Sequence, residues 1–163
     1  KMEERMKKKL GGRSMKYMQM ALEEAKKAAR IGEIPVGAVI VKGDEVIASG
    51  YNLRETKQNA LCHAEVLAIE EACEKLGSWR LTDCDLYVTL EPCLMCTGAI
   101  LNARLRRVYF GAYDDKMGSL AGGNTLFQDY CFQTPVEVYG GMMEQECLAL
   151  LKAFFAHARG ELL

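Results

Sequence analysis

The order of predicted elements along this 163-residue chain indicates an α/β protein, a three-layer α/β/α sandwich on a mixed five-stranded sheet. A helix and a β-hairpin come first, and strands then alternate with helices. A hairpin makes its part of a sheet antiparallel, whereas strand–helix–strand crossovers make neighbouring strands parallel. Half of the residues are apolar, which is enough for one core, so length and composition predict a single domain.

The first half of the chain contains a helix, a hairpin and a second helix. Apolar residues recur at helical spacing before Gly32, a Gly43-Asp44 turn separates two β-rich runs, and Gly77 marks a helix C-cap. The predicted elements are a helix from Tyr17 to Ile31, strands from Val36 to Lys42 and from Glu45 to Tyr51, and a helix from His63 to Leu76.

The second half alternates strands and helices. The run "CDLYVTL", from Cys84 to Leu90, is apolar on both faces, as expected of a strand covered by helices on both sides. The remaining predictions are a helix from Leu94 to Ala103, strands from Arg107 to Gly111 and from Val136 to Tyr139, and a helix from Glu144 to Arg159 with Leu148, Leu151, Phe154 and Phe155 inward.

The ends of the chain and its cysteines suggest a location. Residues 1–14, "KMEERMKKKLGGRS", predict a flexible basic tail, native or added, before a single domain at 15–163. The seven cysteines are an odd number, and there is neither a signal-like segment nor an apolar run of about 18 residues. We therefore expect reduced thiols, a cytoplasmic protein and no membrane contact.

The overall charge is nearly balanced. Lys and Arg total 21 and Asp and Glu total 22, for a net charge of −1. A global basic field that would attract nucleic acid is therefore excluded, and any polyanionic partner must be held by local positive patches.

Two short motifs, "HAE" and "PCLMC", contain residue types that bind metals. His63 and Glu65 lie at the predicted first turn of one helix, and Cys93 and Cys96 lie at the turn that opens the next. Both turns follow strands and lie at the carboxyl edge of the predicted sheet, where open α/β sheets bind ligands. The pattern therefore predicts one site formed by both motifs.

One imidazole and two thiolates leave the fourth position of a tetrahedral zinc ion open for water, which is typical of a catalytic site. Zinc lowers the pKa of such water to about 7, and a neighbouring carboxylate can transfer its proton. We predict His63, Cys93 and Cys96 as ligands of one Zn²⁺ and Glu65 as the catalytic proton shuttle of a hydrolytic deamination. Cys62 is disfavoured as a ligand because neighbouring residues diverge at a helix N-terminus.

Other interpretations stay open from the residues alone. A lone CxxC motif is also typical of a redox pair or a disulfide. A purely structural zinc site is a further alternative, although such sites usually have four protein ligands. The presence of "HAE" upstream favours the catalytic interpretation.

These motifs resemble those of the zinc-dependent nucleoside and nucleobase deaminases with the cytidine-deaminase-like fold, most closely the bacterial tRNA-specific adenosine deaminases. The matching segments, in family order, are "EIPVGAVIV", "GYN", "HAE", "WRL", "LYVTLEPCLMCTGAI", "FGAYD" and the "EC" before "LLKAFF". The resemblance implies one Zn²⁺ per subunit and deamination of adenosine to inosine at the wobble position of a tRNA anticodon loop. A free nucleobase or nucleoside (guanine, cytosine or adenosine) is the alternative substrate.

The resemblance also implies a substrate pocket. The Asn of "GYN" binds the purine, the backbone of "HAE" contacts the base or the hydroxide, and the first Asp of "GAYDDK" contacts the sugar. The implied substrate-binding residues are Asn52, Ala64, Val36, Leu90, Asp114 and Lys116. The resemblance places Val36 and Leu90, with the "EIPV" loop, in the pocket wall, although apolar residues there are equally consistent with an ordinary core, and a turn residue is the less favoured alternative for Asn52.

The implied partners are a second subunit and an anticodon stem-loop. The "TGAILNARL" helix would lie at a homodimer interface. Candidate phosphate contacts are Lys116, the run of Arg104, Arg106 and Arg107, and the helix face of Lys26, Lys27 and Arg30, for which a solvated surface is preferred. Close family members carry Asn-His where this chain has Gln133-Thr134, a difference that bears on RNA recognition rather than on zinc chemistry.

Overall fold

The computed structural model of the chain describes residues 2–120 and 136–160, with side chains from Met15 onward. The helices are α1 (Met2–Arg30), α2 (Arg54–Lys57), α3 (Ala64–Leu76), α4 (Leu94–Asn102) and α5 (Glu144–Ala158), and the strands are β1 (Gly37–Lys42), β2 (Glu45–Tyr51), β3 (Cys84–Leu90), β4 (Arg107–Ala112) and β5 (Glu137–Tyr139). None of the described helices is long and apolar enough to cross a membrane.

The strands form one mixed sheet in the order β2-β1-β3-β4-β5. Strand β1 is antiparallel to both β2 and β3, whereas β3, β4 and β5 are parallel to one another. This arrangement confirms the predicted sheet, with its antiparallel hairpin side and its parallel crossover side. Because β2 and β3 run in the same direction, the segments that follow them leave the sheet at the same edge.

Helices cover both faces of this sheet. On one face, Met18 of α1 and Cys147 of α5 pack in a cluster with Tyr87 of β3. On the other face, Ala68 of α3 and Ile100 of α4 pack in a second cluster that contains alternate strand residues. Strand β3 is therefore buried on both faces, as its apolar sequence predicts.

A glycine sets how closely α3 approaches the sheet. A Cβ atom at Gly50 of β2 would overlap the Ala64 carbonyl oxygen. The absence of a side chain at this position lets the first turn of α3 lie directly on β2. Gly50 thereby fixes the position of the residues at the start of α3.

The structure differs from the predicted elements in three places. Helix α1 begins at Met2 rather than Tyr17, and the short helix α2 was not predicted within the loop "RETKQNALC". Phe155, which was expected to face inward, is 40% exposed, and the buried residue of α5 is Cys147. The Gln133-Thr134 departure lies outside the described residues, and the mobility of the 1–14 tail remains a prediction.

Candidate active site

The residues of "HAE" and "PCLMC" meet at the ends of two helices. His63 is the N-cap of α3 and Cys93 is the N-cap of α4, and both have extended backbones. Their carbonyl oxygens accept the first helical hydrogen bonds, from Leu67 and Thr97. Each cap therefore directs its side chain away from the helix, at the edge where β2 and β3 end.

His63, Cys93 and Cys96 form a group with the geometry of a metal site. The His63 Nδ1 atom lies 3.7 Å from Cys93 Sγ and 3.5 Å from Cys96 Sγ. Tetrahedral zinc with the usual bond lengths separates nitrogen and sulfur ligands by about 3.6 Å. All three ligand atoms lie within 4.8 Å of one another, so the chemistry and spacing of these donors fit one Zn²⁺ ion.

The disulfide alternative for these thiols does not match this geometry. Cys93 and Cys96 are free thiols rather than a disulfide. Among the described residues, the metal-binding group contains His63 and the CxxC pair but not Cys62, which is buried beside it. The site has three protein ligands, which is the number found in catalytic rather than structural zinc centres.

The protonation of the cysteine pair favours cation binding. Hydrogen bonds with the Cys96 thiol and with the His63 ring outweigh burial and lower the pKa of Cys93 to about 4. The same hydrogen bond, together with burial, raises the pKa of Cys96. Cys93 is thus a thiolate at neutral pH, and a metal ion that binds both sulfur atoms must displace the Cys96 proton.

Glu65 lies in the first turn of α3 and is almost completely buried, with 4% of its surface exposed. Burial raises the pKa of its carboxyl group, although hydrogen bonds with its own amide and with Cys96 partly oppose the shift. A carboxyl group with a raised pKa can hold a proton nearer neutral pH, as a proton shuttle requires.

These residues open into a cavity of about 230 Å³. Of the residues proposed to bind substrate, five line the cavity: Val36, Asn52, Ala64, Leu90 and Asp114. Lys116 does not line it but lies exposed on the loop that carries Asp114. The remaining lining residues are Ile34, Arg54, His63, Glu65, Glu91, Cys93 and Met117.

The side chain of Asn52 is already engaged with two loops. Its Nδ2 atom donates to the Ile34 carbonyl at 3.3 Å, and its Oδ1 atom accepts from the Arg54 amide at 3.1 Å. The amide group keeps one N–H and one oxygen lone pair for a ligand. Asn52 therefore has a local structural role in addition to its position at the cavity.

Ile34 belongs to the "EIPV" loop that the resemblance places in the pocket wall, whereas sequence reasoning missed three residues that line the cavity: Arg54, Glu91 and Met117. Glu91 lies inside the quoted motif "LYVTLEPCLMCTGAI", two residues before Cys93, and this position was a usable signal. Arg54 is the first residue of the short helix α2 and Met117 lies on the loop after β4, and neither has a local pattern that would indicate a cavity, so only the fold identifies them.

Two buried carboxylates hold these loops in place. Glu33 accepts hydrogen bonds from the amides of Glu55 at 3.2 Å and Thr56 at 2.8 Å. Glu91 accepts from the amides of Asp114 and Leu120, both at 3.1 Å. The loop that carries Arg54 and the loop that carries Met117 are thus each tied to the body of the domain by a carboxylate.

Two of the basic residues considered as phosphate contacts are paired with acidic residues away from the cavity. Arg106 forms a bidentate pair with Asp85, at 3.0 and 2.9 Å, and the Nε atom of Arg107 lies 3.0 Å from Glu137. These residues lie at the starts of β3, β4 and β5, at the edge of the sheet opposite the metal site.

Three further basic candidates also have local partners. Lys26 and Lys27 pair with Glu23 and Glu24 on α1, at 2.9 and 2.8 Å, in agreement with the expected solvated surface. Arg104 donates to the carbonyl oxygens of Leu101 and Asn102.

The segment that contains these residues matches a known protein family. Residues 13–112 match the sequence profile of the cytidine and deoxycytidylate deaminase zinc-binding region. The match includes His63, Glu65, Cys93 and Cys96. A zinc-binding profile that covers the three clustered donors identifies the cofactor as Zn²⁺.

Curated relatives extend the likeness over most of the chain. The tRNA-specific adenosine deaminase of Bacillus subtilis strain 168 is 50% identical over 143 residues, which cover 88% of this chain and 89% of that protein. The protein of the same name from Rickettsia typhi is 44% identical and is covered over 97% of its length.

Solved structures agree with the fold. A chain from a study of A-to-I editing by tRNA:A34 deaminases at the wobble position of transfer RNA superposes with a TM-score of 0.80 at 43% identity, covering 83% of this chain and 98% of that chain. A guanine deaminase from Bacillus subtilis superposes with a TM-score of 0.59 at 40% identity, covering 70% of this chain and 73% of the other. The chain therefore belongs to the cytidine and deoxycytidylate deaminase zinc-binding family.

Proposed function

We propose that this protein converts adenosine to inosine by hydrolytic deamination at the wobble position of a tRNA anticodon loop. The observation that carries the proposal is the grouping of His63, Cys93 and Cys96 beside buried Glu65 in a cavity. The relatives named tRNA-specific adenosine deaminase, at 44–50% identity, support the choice of substrate.

The chain's own residues supply binding and proton transfer. When zinc is bound by the three ligands, it lowers the pKa of water to about 7 and thereby supplies a nucleophile at neutral pH. Glu65 takes one proton from the water and delivers it to a ring nitrogen of the base, then takes the second proton from the oxygen added to the ring carbon and delivers it to the departing amine, so that water and adenosine become ammonia and inosine. The raised pKa of Glu65 suits a group that both accepts and donates a proton.

The cavity suits a single base taken out of an RNA loop. Its walls combine apolar side chains, Ile34, Val36 and Leu90, with the polar groups of Asn52 and Asp114. Apolar walls pack against the faces of a base, while a few polar groups orient it. Bases in a single-stranded loop are already free to unstack, so the enzyme does not need to open a duplex.

The experiment is incubation of the zinc-loaded protein with an anticodon stem-loop that has adenosine at the wobble position. We expect inosine at that position, detected by mass spectrometry of the digested RNA, and a stem-loop with guanosine there is the matched control. Absence of inosine with zinc fully loaded would reject the proposal.

A free-base activity is the second candidate, favoured by the likeness to the guanine deaminase structure at 40% identity. The same zinc-loaded preparation is tested on guanine, cytosine, adenine and their nucleosides, with ammonia release as the measurement. Ammonia from a free base without inosine in the stem-loop would select this alternative.

We also propose that the protein is a cytoplasmic homodimer that associates through α4. The exposed side of α4 borders an open groove of about 420 Å³ lined by Ile69, Cys73, Trp79, Ala99, Asn102 and Ala103. Trp79 is 52% exposed in the single chain, a large apolar surface of the kind that subunit interfaces cover. Sedimentation velocity should show a dimer, and Ala99→Glu should shift it to a monomer.

A further inference from the structure

We propose that Glu91 is a positioning residue that fixes the wall of the cavity formed by the 113–120 loop and thereby sets the affinity for the substrate. Glu91 lies between the end of β3 and the metal ligand Cys93 and is 3% exposed. The inference rests on the proposed function only for the identity of that substrate.

The two carboxylate oxygens of Glu91 bind two separate amides of this segment. Its Oε1 atom accepts from the Asp114 amide, and its Oε2 atom accepts from the Leu120 amide, each at 3.1 Å. One side chain therefore holds the segment at two points. Because the acceptor is a buried carboxylate, these hydrogen bonds are of the stronger, charge-assisted kind.

Further contacts align the loop with the segment that carries the metal ligand. The Ser119 amide donates to the Pro92 carbonyl at 3.0 Å, and Cys93 and Gly118 form an isolated β-bridge. A Cβ atom at Gly118 would overlap the Glu91 carboxyl group, so glycine is required for this close packing. Movement of the Glu91 carboxylate would be transmitted directly to the loop.

The same loop places two side chains at the cavity. Asp114 and Met117 both line it, and Asp114 Oδ1 accepts hydrogen bonds from the amides of Lys116 and Met117 at 3.1 Å. The anchor at the Asp114 amide thus orients both lining residues together. Glu65 lies on α3, outside this loop, so we expect loss of the anchor to weaken binding more than proton transfer.

The test is Glu91→Gln, which keeps the shape of the side chain but offers one acceptor oxygen in place of two. One of the two loop amides then faces an NH₂ group and loses its partner. We expect about a tenfold increase in KM for the stem-loop, with kcat within about twofold and zinc content unchanged. Hydrogen exchange at the amides of Asp114 and Leu120 should also become faster.

The matched control is Asp85→Asn, at the opposite end of the same strand. Asp85 is also a buried carboxylate, and it accepts two hydrogen bonds from Arg106. The Asp85→Asn substitution should destabilise the domain without contacting the 113–120 loop. KM and hydrogen exchange at the amides of Asp114 and Leu120 should therefore match wild type. Equal changes in KM in both variants would reduce Glu91 to a general structural role and overturn the proposal.

A second variant keeps the test valid if Glu91→Gln folds poorly. Gly118→Ala adds a methyl group against the Glu91 carboxyl group and the Asp114 carbonyl oxygen, and should raise KM in the same way. The double variant should be less than additive, because both changes disturb the same attachment of the loop to Glu91. Additive effects, an unchanged KM or loss of zinc would contradict the inference.

The outcomes separate this inference from the proposed function. If wild type deaminates a free base but not the stem-loop, the proposed function fails, and KM is measured with that base. The exchange measurement needs no substrate, and unchanged exchange in Glu91→Gln would overturn the positioning role whichever base is deaminated.

Discussion

The charged groups at the two ends of strands β3 and β4 have different partners. At their starts, Asp85 binds Arg106 through two hydrogen bonds, and Arg107 pairs with Glu137. Beyond their other ends, a Cys93 thiolate and the buried carboxyl group of Glu65 lie close to His63. At the starts of the strands, the cations that pair with the carboxylates are arginines of the chain itself. At the other end, the acidic groups lie where a metal cation fits.

The contrast separates polar groups that stabilise the fold from polar groups that perform chemistry. Ion pairs within the chain are complete when the protein folds, and the pKa of Arg106 is raised first by its hydrogen bonds to Asp85. The raised pKa of Glu65 instead arises first from burial, which folding must oppose with favourable packing elsewhere. Substitutions at the two ends should therefore have different consequences for zinc, turnover and stability.

Loss of a metal ligand should have the largest effect. Cys93→Ala removes one of three ligands, so we expect zinc content to fall below one tenth of wild type and activity to disappear. The free energy of unfolding should also decrease by several kcal/mol, because bound zinc joins the starts of α3 and α4. Zinc is measured by mass spectrometry and stability by urea denaturation.

Cys62→Ala is the matched control for the ligand variant. Cys62 is a buried thiol adjacent to His63 but lies outside the group of ligands. It should keep full zinc content and lose only the stability that a smaller side chain removes. Zinc loss in this variant would make Cys62 a ligand and would contradict a three-ligand catalytic site.

Loss of the proton shuttle should come next. Glu65→Gln preserves the shape of the side chain but cannot transfer a proton, so we expect kcat to fall by about 10²–10⁴-fold with zinc retained. A single-turnover assay with the stem-loop, alongside a zinc measurement, checks this result. Unchanged turnover would instead support a purely structural role for the metal.

How much of the site the sequence predicts depends on where each residue lies. The ligands and Glu65 were predicted because their motifs occupy helix N-termini that follow strands, and the topology brings such termini to one edge. Arg54 and Met117 were not predicted, because they reach the cavity only through loops held by Glu33 and Glu91. Long-range hydrogen bonds of this kind leave no local pattern.

The run of Arg104, Arg106 and Arg107 shows the same limit of prediction from sequence. A sequence of neighbouring arginines indicates a positive patch, but it does not reveal the partners of the side chains. Asp85 and Glu137 meet Arg106 and Arg107 because the parallel register aligns the starts of β3, β4 and β5. The fold was predictable because hydrophobic periodicity is local, and the pairing of these charges was not.

The Glu33 anchor should have a moderate, pH-dependent effect. Burial raises the pKa of Glu33, but hydrogen bonds from Thr56 and Glu55 outweigh it, and the net pKa is lowered. The folded state therefore gains stability above the ordinary glutamate pKa of about 4.3 and loses it as pH falls through the folded value. Glu33→Gln should lower the free energy of unfolding by about 1–2 kcal/mol at pH 7.

Urea denaturation at several pH values measures this difference. The stabilities of wild type and Glu33→Gln should converge as pH falls below about 4.3, because the carboxylate that made the difference becomes protonated. A constant difference between pH 7 and pH 3 would show that the charge of Glu33 is not what holds the loop.

The smallest effect is expected at the opposite end of the sheet. Asp85→Asn weakens a bidentate pair in which the Arg106 side chain is 42% exposed and can be rehydrated, so we expect a loss of about 1 kcal/mol. Zinc content and kcat should remain at wild-type values, since the pair lies at the edge of the sheet away from the ligands. A fall in kcat would mean that the amino ends of the strands influence the metal site through the sheet, and the separation between the two ends would then be incomplete.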